Sequence, residues 1–145
     1  MHAISDLMER DLFAKHVGIA LVEVRPGYAK ATMPIRREHL NGFGMMHGGA
    51  IFALADFAFA AAVNSHGTLA VAINVSISYL RPPEGATLHA EASEIHKSRT
   101  LASCTVRITD DEQHLVGIFQ GIAYRKTEPI PTAAPGDDTP SKPDA

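Results

Sequence analysis

The stretch Ala50-Ile-Phe-Ala-Leu-Ala-Asp-Phe-Ala-Phe-Ala-Ala-Ala-Val63 holds fourteen positions, of which only Asp56 is charged. Read as a helix, it puts Asp56 on a face with Phe52, Ala53, Phe59, Ala60 and Val63, leaving it no ordinary solvated side. A helix apolar all round is a buried helix. A lone carboxylate in such a place is tolerated when it is paired, hydrogen-bonded or put to use. The run is too short to span a bilayer and contains an acid, so a membrane role is not expected.

Working outward, Met46-His-Gly-Gly49 opens this helix near Gly48, and Gly67 stops it after His66. Beyond Gly67 the apolar period changes from 3.6 to 2: Leu69, Val71, Ile73, Val75, Ile77 and Tyr79 alternate with small or polar residues, which predicts a long strand with one apolar face. Arg81-Pro-Pro-Glu-Gly85 breaks it, and strands near 86–96, 99–109 and 114–125 follow, divided by Lys97-Ser-Arg99 and Asp110-Asp-Glu-Gln113. Upstream, Leu7, Met8, Leu12 and Phe13 predict one short amphipathic helix from Asp6 to about His16. Two strands over 18–25 and 28–34 meet at Arg25-Pro-Gly-Tyr28, where Gly27 suits the positive φ of a type II turn. Ile35 to Met46 reads as loop. The fold class is α+β: an antiparallel sheet of about six strands around one long central helix. A single sheet layer bent around one helix leaves edges exposed, so a two-fold homodimer is expected.

At 145 residues the chain makes one domain, over 1–129, with 130–145 expected as a disordered proline-rich tail. A net charge of −3 without a basic stripe gives no argument for nucleic acid. Cys104 is the single cysteine, so no intrachain disulfide can form, and the N-terminus lacks the pattern of a secretory signal; a cytoplasmic protein is expected. The eight histidines show no metal-ligand spacing, and no metal or separate cofactor is expected.

The chemistry concentrates at the helix entry. Gly48 and Gly49 lie in the first turn, where backbone N–H groups lack intrahelical acceptors and the dipole is positive. Lacking side chains, they let a polarised carbonyl oxygen approach. Asp56 lies eight residues on, about 12 Å along the axis at ~1.5 Å per residue. One chain cannot easily aim both at one atom, whereas antiparallel helices across a dimer axis can, with Gly48 from one subunit and Asp56 from the other. Asn41 and His47 flank the entry; turn chemistry and helix-start packing are the plainer roles for them. If they function, Asn41 orients a water or carbonyl and His47 holds Asn41 or the loop.

Other patterns carry little. His47-Gly-Gly49 lacks the G-x-S-x-G nucleophile elbow of α/β-hydrolases, and Gly42-Phe-Gly44 lacks a dinucleotide-loop context. Asp11 and His16 have a hydratase-like offset but sit on an amphipathic helix without the matching context. Arg81, Lys97, Arg99 and Lys126 fall near strand ends; singly they serve solubility, and as a group they suit the phosphates of a nucleotide-tailed thioester. Phe52, Phe57, Phe59 and Met45 compete to line the acyl end of a site.

Leu40-Asn-Gly-Phe-Gly-Met-Met-His-Gly-Gly-Ala-Ile-Phe-Ala-Leu-Ala-Asp-Phe-Ala-Phe-Ala60, with Asn64-Ser-His-Gly67 and Tyr79-Leu-Arg-Pro82, resembles the hot-dog-fold acyl-CoA thioesterases of the phenylacetate-degradation PaaI type. The resemblance covers about residues 7–125 and implies a six-stranded antiparallel sheet wrapping a central helix, paired into homodimers and commonly homotetramers with sites at the dimer interface. It implies that Asp56 is nucleophile or general base, that the Gly48 amide polarises the thioester carbonyl, that Asn41 positions water or substrate, and that His47 supports it. Gly49, Arg81, Lys97 and Arg99 are then candidate substrate contacts, and the expected substrate is an acyl-CoA, phenylacetyl- or hydroxyphenylacetyl-CoA. Some relatives carry a water-placing serine where this chain has Ala72. The rival readings are a hydratase or dehydratase, which needs a histidine where Asn41 stands, with His39 less favourably placed, and a non-catalytic acyl-CoA binder, which would not need Asp56.

Overall fold

A computed structural model describes residues 1–132 of the chain. The helices α1 (His2–Glu9) and α2 (Leu12–Val17) precede β1 (Ala20–Arg25) and β2 (Tyr28–Pro34); a 3-10 turn over Arg37–His39 leads to α3 (Gly48–Val63), then β3 (Thr68–Tyr79), β4 (Thr87–Lys97), β5 (Leu101–Thr109) and β6 (Leu115–Pro129). The strands form one antiparallel sheet in the order β1-β2-β4-β5-β6-β3, with α3 against its concave face. This is the architecture expected from the periodicities.

Small side chains let the helix sit close. Ala29, Ala31, Ala90, Ala92, Ala102 and Ala123 face inward and are buried, while larger residues such as Leu88, Ile108 and Phe119 fill the space around them. At Gly121 an added Cβ would lie 2.7 Å from the Phe59 ring, so only glycine admits that ring beside Phe119. Asn64 ends α3 and ties it to β3: its amide donates to Ala60 O (2.9 Å) and Ala70 O (3.2 Å), and its Oδ1 accepts from Ala70 N (2.8 Å).

Four expectations change. The single N-terminal helix is two, because the chain turns at Arg10 and Asp11 caps α2 by accepting from Ala14 N. The central helix ends at Val63 rather than His66. The one apolar face of β3 is split by a bulge between Ala72 and Asn74. One extra residue reverses the alternation, so Val71 pairs with Tyr124 on the convex face while Val75 and Ile77 pair with Gly121 and Phe119 on the helix side. Finally, Ile130, assigned to the tail, is 5% exposed and donates its N–H to Gly67 O (3.1 Å). Residues 133–145 of the expected tail lie outside the described residues. The turn at Gly27 has φ +74°, as a type II turn requires.

Candidate active site

The entry of α3 is a set of committed hydrogen bonds with one donor left over. His47 is the N-cap, and its Nδ1 accepts from Gly49 N (2.8 Å). Its own N–H donates to His39 O (2.7 Å). Ala50 and Ile51 donate to His47 O. The Gly48 N–H has no acceptor among the described residues. The sequence offered Gly48 and Gly49 together as donors; the fold occupies Gly49 and leaves Gly48. Across the helix start, the Tyr79 hydroxyl at the end of β3 donates to Gly48 O (2.9 Å).

Asn41 lies in a tight turn: its Oδ1 accepts from Phe43 N (2.9 Å) and Met45 N (3.1 Å). Turn chemistry therefore uses the oxygen, and only the amide NH2 remains to act on a ligand. His39 is buried and bonded at both ring nitrogens. Nδ1 accepts from Arg36 N (3.0 Å), and Nε2, facing Val17 O at 2.7 Å, must donate. Neither nitrogen is free to take a substrate proton, which removes the histidine a hydratase would need here.

Asp56 is half-buried rather than fully enclosed. It opens into a cavity of about 180 Å³ whose walls include Gly49, Phe52, Ala53, Phe57 and Ala60 of α3, with Phe13, Ala14 and Ile19 opposite. The helical face was assigned correctly for Phe52, Ala53 and Ala60 but not for Phe59 and Val63, which turn into the core. Phe59 packs on Phe119 with ring centroids 5.5 Å apart. Met45, also a candidate for the acyl end, stands half-exposed on the entry loop. Asp11 reaches the same cavity from the cap of α2; no spacing on its own helix signals this. Burial raises the Asp56 carboxyl above its ordinary range, and the negative charge of Asp11 raises it further.

The basic residues do not converge in one chain. Arg81 follows Tyr79, which pairs with Gly117, whereas Lys97 and Arg99 lie by Leu101, which pairs with Tyr124. These levels are about 23 Å apart along β6 at ~3.3 Å per residue. Arg81 also faces Glu84 at 3.6 Å. The Cys104 thiol, pushed up to about 12 by burial and by Glu94, is no nucleophile. Among the described residues no group of three or more His, Cys, Asp or Glu converges as metal ligands would. Nor is any described helix long and apolar enough to cross a membrane.

Residues 43–117 match the family model of the thioesterase superfamily. An esterase-named protein of Archaeoglobus fulgidus is 43% identical over 112 residues, 77% of this chain and 73% of its own. The acyl-coenzyme A thioesterase PaaI of Escherichia coli is 38% identical over 120 residues, 82% of this chain and 86% of its own. The solved structure of that E. coli PaaI protein, from the phenylacetic acid degradation operon, matches with a TM-score of 0.84 at 35% identity, covering 90% of this chain and 98% of the other. A Streptococcus mutans protein solved with acetyl CoA bound matches with a TM-score of 0.73 at 26% identity, covering 77% and 91%.

Proposed function

We propose, on the premise that this chain belongs to the thioesterase superfamily and is a thioester hydrolase of the hot-dog fold, that it cleaves an aryl-acetyl thioester of coenzyme A, phenylacetyl- or hydroxyphenylacetyl-CoA, to the free acid and coenzyme A. The observation that carries this is one helix presenting two unused groups: the Gly48 N–H at its start and the Asp56 carboxylate facing a cavity. The first suits the oxygen of a polarised carbonyl, the second an attacking water. In the base route Asp56 takes a proton from water as its oxygen attacks the thioester carbon, and the C–S bond breaks to release the thiolate. In the nucleophile route the carboxylate attacks first, the C–S bond breaks to expel the thiolate, and water opens the resulting anhydride to release the acid and restore the carboxylate.

An aryl group is favoured by size and lining. A dry cavity of ~150 Å³ holds a benzene molecule, and here about 180 Å³ is walled by Phe13, Phe52 and Phe57. Coenzyme A enters as part of the substrate, and no separate cofactor is needed. The helical separation of Gly48 and Asp56 supports a site shared by two antiparallel copies, pairing further into a tetramer. The edge strand β3 and the residue after it expose Ile73 (57%), Tyr79 (51%) and Leu80 (53%), apolar surface that a second copy would cover. In that arrangement Arg81 of one copy and Lys97 or Arg99 of the other are the candidates for the coenzyme phosphates, and Asn41 orients water or carbonyl through its amide NH2. A cytoplasmic setting, where acyl-CoA is made and used, fits this reading.

The test is Asp56→Asn, assayed for thiol release with a chromogenic disulfide and for assembly by sedimentation. The expected result is a kcat lower by ~10²–10⁴ in a variant at least as stable as the parent, since a desolvated charge beside Asp11 is removed. Retained turnover in a correctly assembled variant sinks the assignment. Consumption of crotonyl-CoA absorbance without thiol release would instead establish the hydratase.

A further inference from the structure

We propose that Asp11 is a positioning residue for the reacting carboxylate: a second negative charge, held in the same cavity as Asp56, that keeps Asp56 basic enough to take a proton from water. The inference rests on the reading of Asp56 as the reacting group.

The placement comes from local structure. The turn at Arg10 separates α1 from α2, and Asp11 caps α2 through the bond its Oδ1 accepts from Ala14 N (2.9 Å). This anchors the carboxylate on a short helix that packs against α3, where Asp11 and Asp56 line one cavity with otherwise apolar walls. Capping does not demand a charge, because Asn and Ser cap as well as Asp. The acid is therefore more than the helix start requires.

Among the described residues no basic side chain lines the cavity that holds the pair. The inward residues of β2, β4 and β5 that pack on α3, from Ala29 to Ile108, are apolar apart from the buried thiol of Cys104 and its register partner Glu94, which is held by His66 at 3.0 Å beyond the C-terminal end of α3. From β3 and β6 the inward residues, among them Val75, Ile77, Phe119 and Ala123, are apolar. On α1, α2 and β1, Glu9, Lys15 and Glu23 line a separate cleft beyond Ala14 and Phe57, Arg25 is turned to Glu23 at 3.2 Å, and Asp6 lies with Arg10 in a third. A second carboxylate facing the same apolar space opposes the ionisation of Asp56. Burial alone already raises Asp56, and Asp11 adds to it. A base whose affinity for protons approaches the working pH transfers them more efficiently. The direction holds whether Asp56 attacks the carbonyl or activates water, since its ionised form is the active one in both.

The experiment compares the wild type with Asp11→Asn, which keeps the capping oxygen and loses the charge. The kcat/KM for phenylacetyl-CoA is measured across pH, and the Asp56 carboxyl is titrated by carbon NMR of aspartate-labelled protein, with the Asp56→Asn spectrum identifying its signal. We expect the Asp56 midpoint and the acidic limb of kcat/KM to move together to lower pH. The ratio of variant to wild-type kcat/KM then grows as pH falls and changes less on the plateau, while the thermal midpoint does not fall. An Asp56 midpoint that does not move in the folded variant overturns the inference, as does a midpoint that moves without the limb. Should Asp11→Asn fold poorly, Asp11→Ser carries the same test. The two readings fail separately. Turnover retained in Asp56→Asn sinks the thioesterase assignment of that residue, whereas an inactive Asp56→Asn with an unmoved Asp56 titration in Asp11→Asn sinks only the role of Asp11.

Discussion

Gly48→Pro deletes a single hydrogen-bond donor at the helix entry and leaves the rest of the backbone pairing intact. Gly48 is the first residue of α3, where the missing N–H of proline has no intrahelical acceptor to lose. His47, at φ −67° and ψ 132°, already has the extended conformation that a residue before proline needs. The steric cost is local: a Cβ at Gly48 would meet the Tyr79 ring at 3.0 Å and its hydroxyl at 3.1 Å. Tyr79 is half-exposed and can swing outward, forfeiting its bond to Gly48 O. That loss is worth about 0.5–1.5 kcal/mol, offset by about 0.4–1 kcal/mol from the stiffer unfolded chain, so folding should be nearly unchanged. Gly48→Ala meets the same ring and keeps the N–H. The ratio of the two variants therefore isolates the donor, and removal of one oxyanion donor costs ~10²–10³ in kcat, about 2.7–4 kcal/mol. Thiol release with phenylacetyl-CoA is the assay. A donor used in the transition state lowers kcat with KM little changed, whereas a pyrrolidine ring that merely blocks the substrate raises KM. If Gly48→Pro turns over as fast as Gly48→Ala, the Gly48 amide is not the oxyanion donor.

Asn64→Ala should lower stability by about 1–3 kcal/mol for each buried backbone group it orphans at Ala70, read as a lower denaturant midpoint with activity per folded molecule retained. For Asp110, burial pushes the carboxyl up, but the N–H groups of Glu84, His114 and Glu112 and the His114 ring outweigh it and hold it at about 2. Its folded value is depressed, so its stabilisation is complete above about 3.8 and is lost as pH falls through about 2; Asp110→Asn should flatten that part of an acid-unfolding curve, and an unchanged curve would refute the assignment. An acyl chain ending in its own carboxylate meets Asp11 and Asp56 with no cation in the cavity wall. Because an uncompensated like charge costs several kcal/mol, glutaryl-CoA should have a kcat/KM lower than hexanoyl-CoA by about tenfold or more, and equal values would show that the acyl group lies elsewhere.

The element order was legible because each signal is local. The apolar run at 50–63, the period of 2 after Gly67 and the Pro-Gly turn at 26–27 all report on neighbours within a few residues, and the structure returns each of them. The break at Arg10 was missed because Leu7, Met8, Leu12 and Phe13 fit one helical stripe as well as two. The β3 face was misread because a bulge shifts parity without any change in composition. At the helix entry the residue types were legible but their commitments were not. Gly49 looked as free as Gly48 until His47 Nδ1 took its N–H, and Asn41 looked available until its oxygen proved to be holding the turn.

From the residues alone came an isolated acid on a helix that opens on two glycines, and the expectation that a second copy brings donor and acid together. The rest came from folding. Which phenylalanine lines the cavity is set by how α3 rotates against the sheet, and the approach of Asp11 to Asp56 joins positions 45 residues apart. Periodicity and helix-end chemistry depend on near neighbours and survive in any context, whereas the field on a carboxylate depends on whatever the packed chain places beside it.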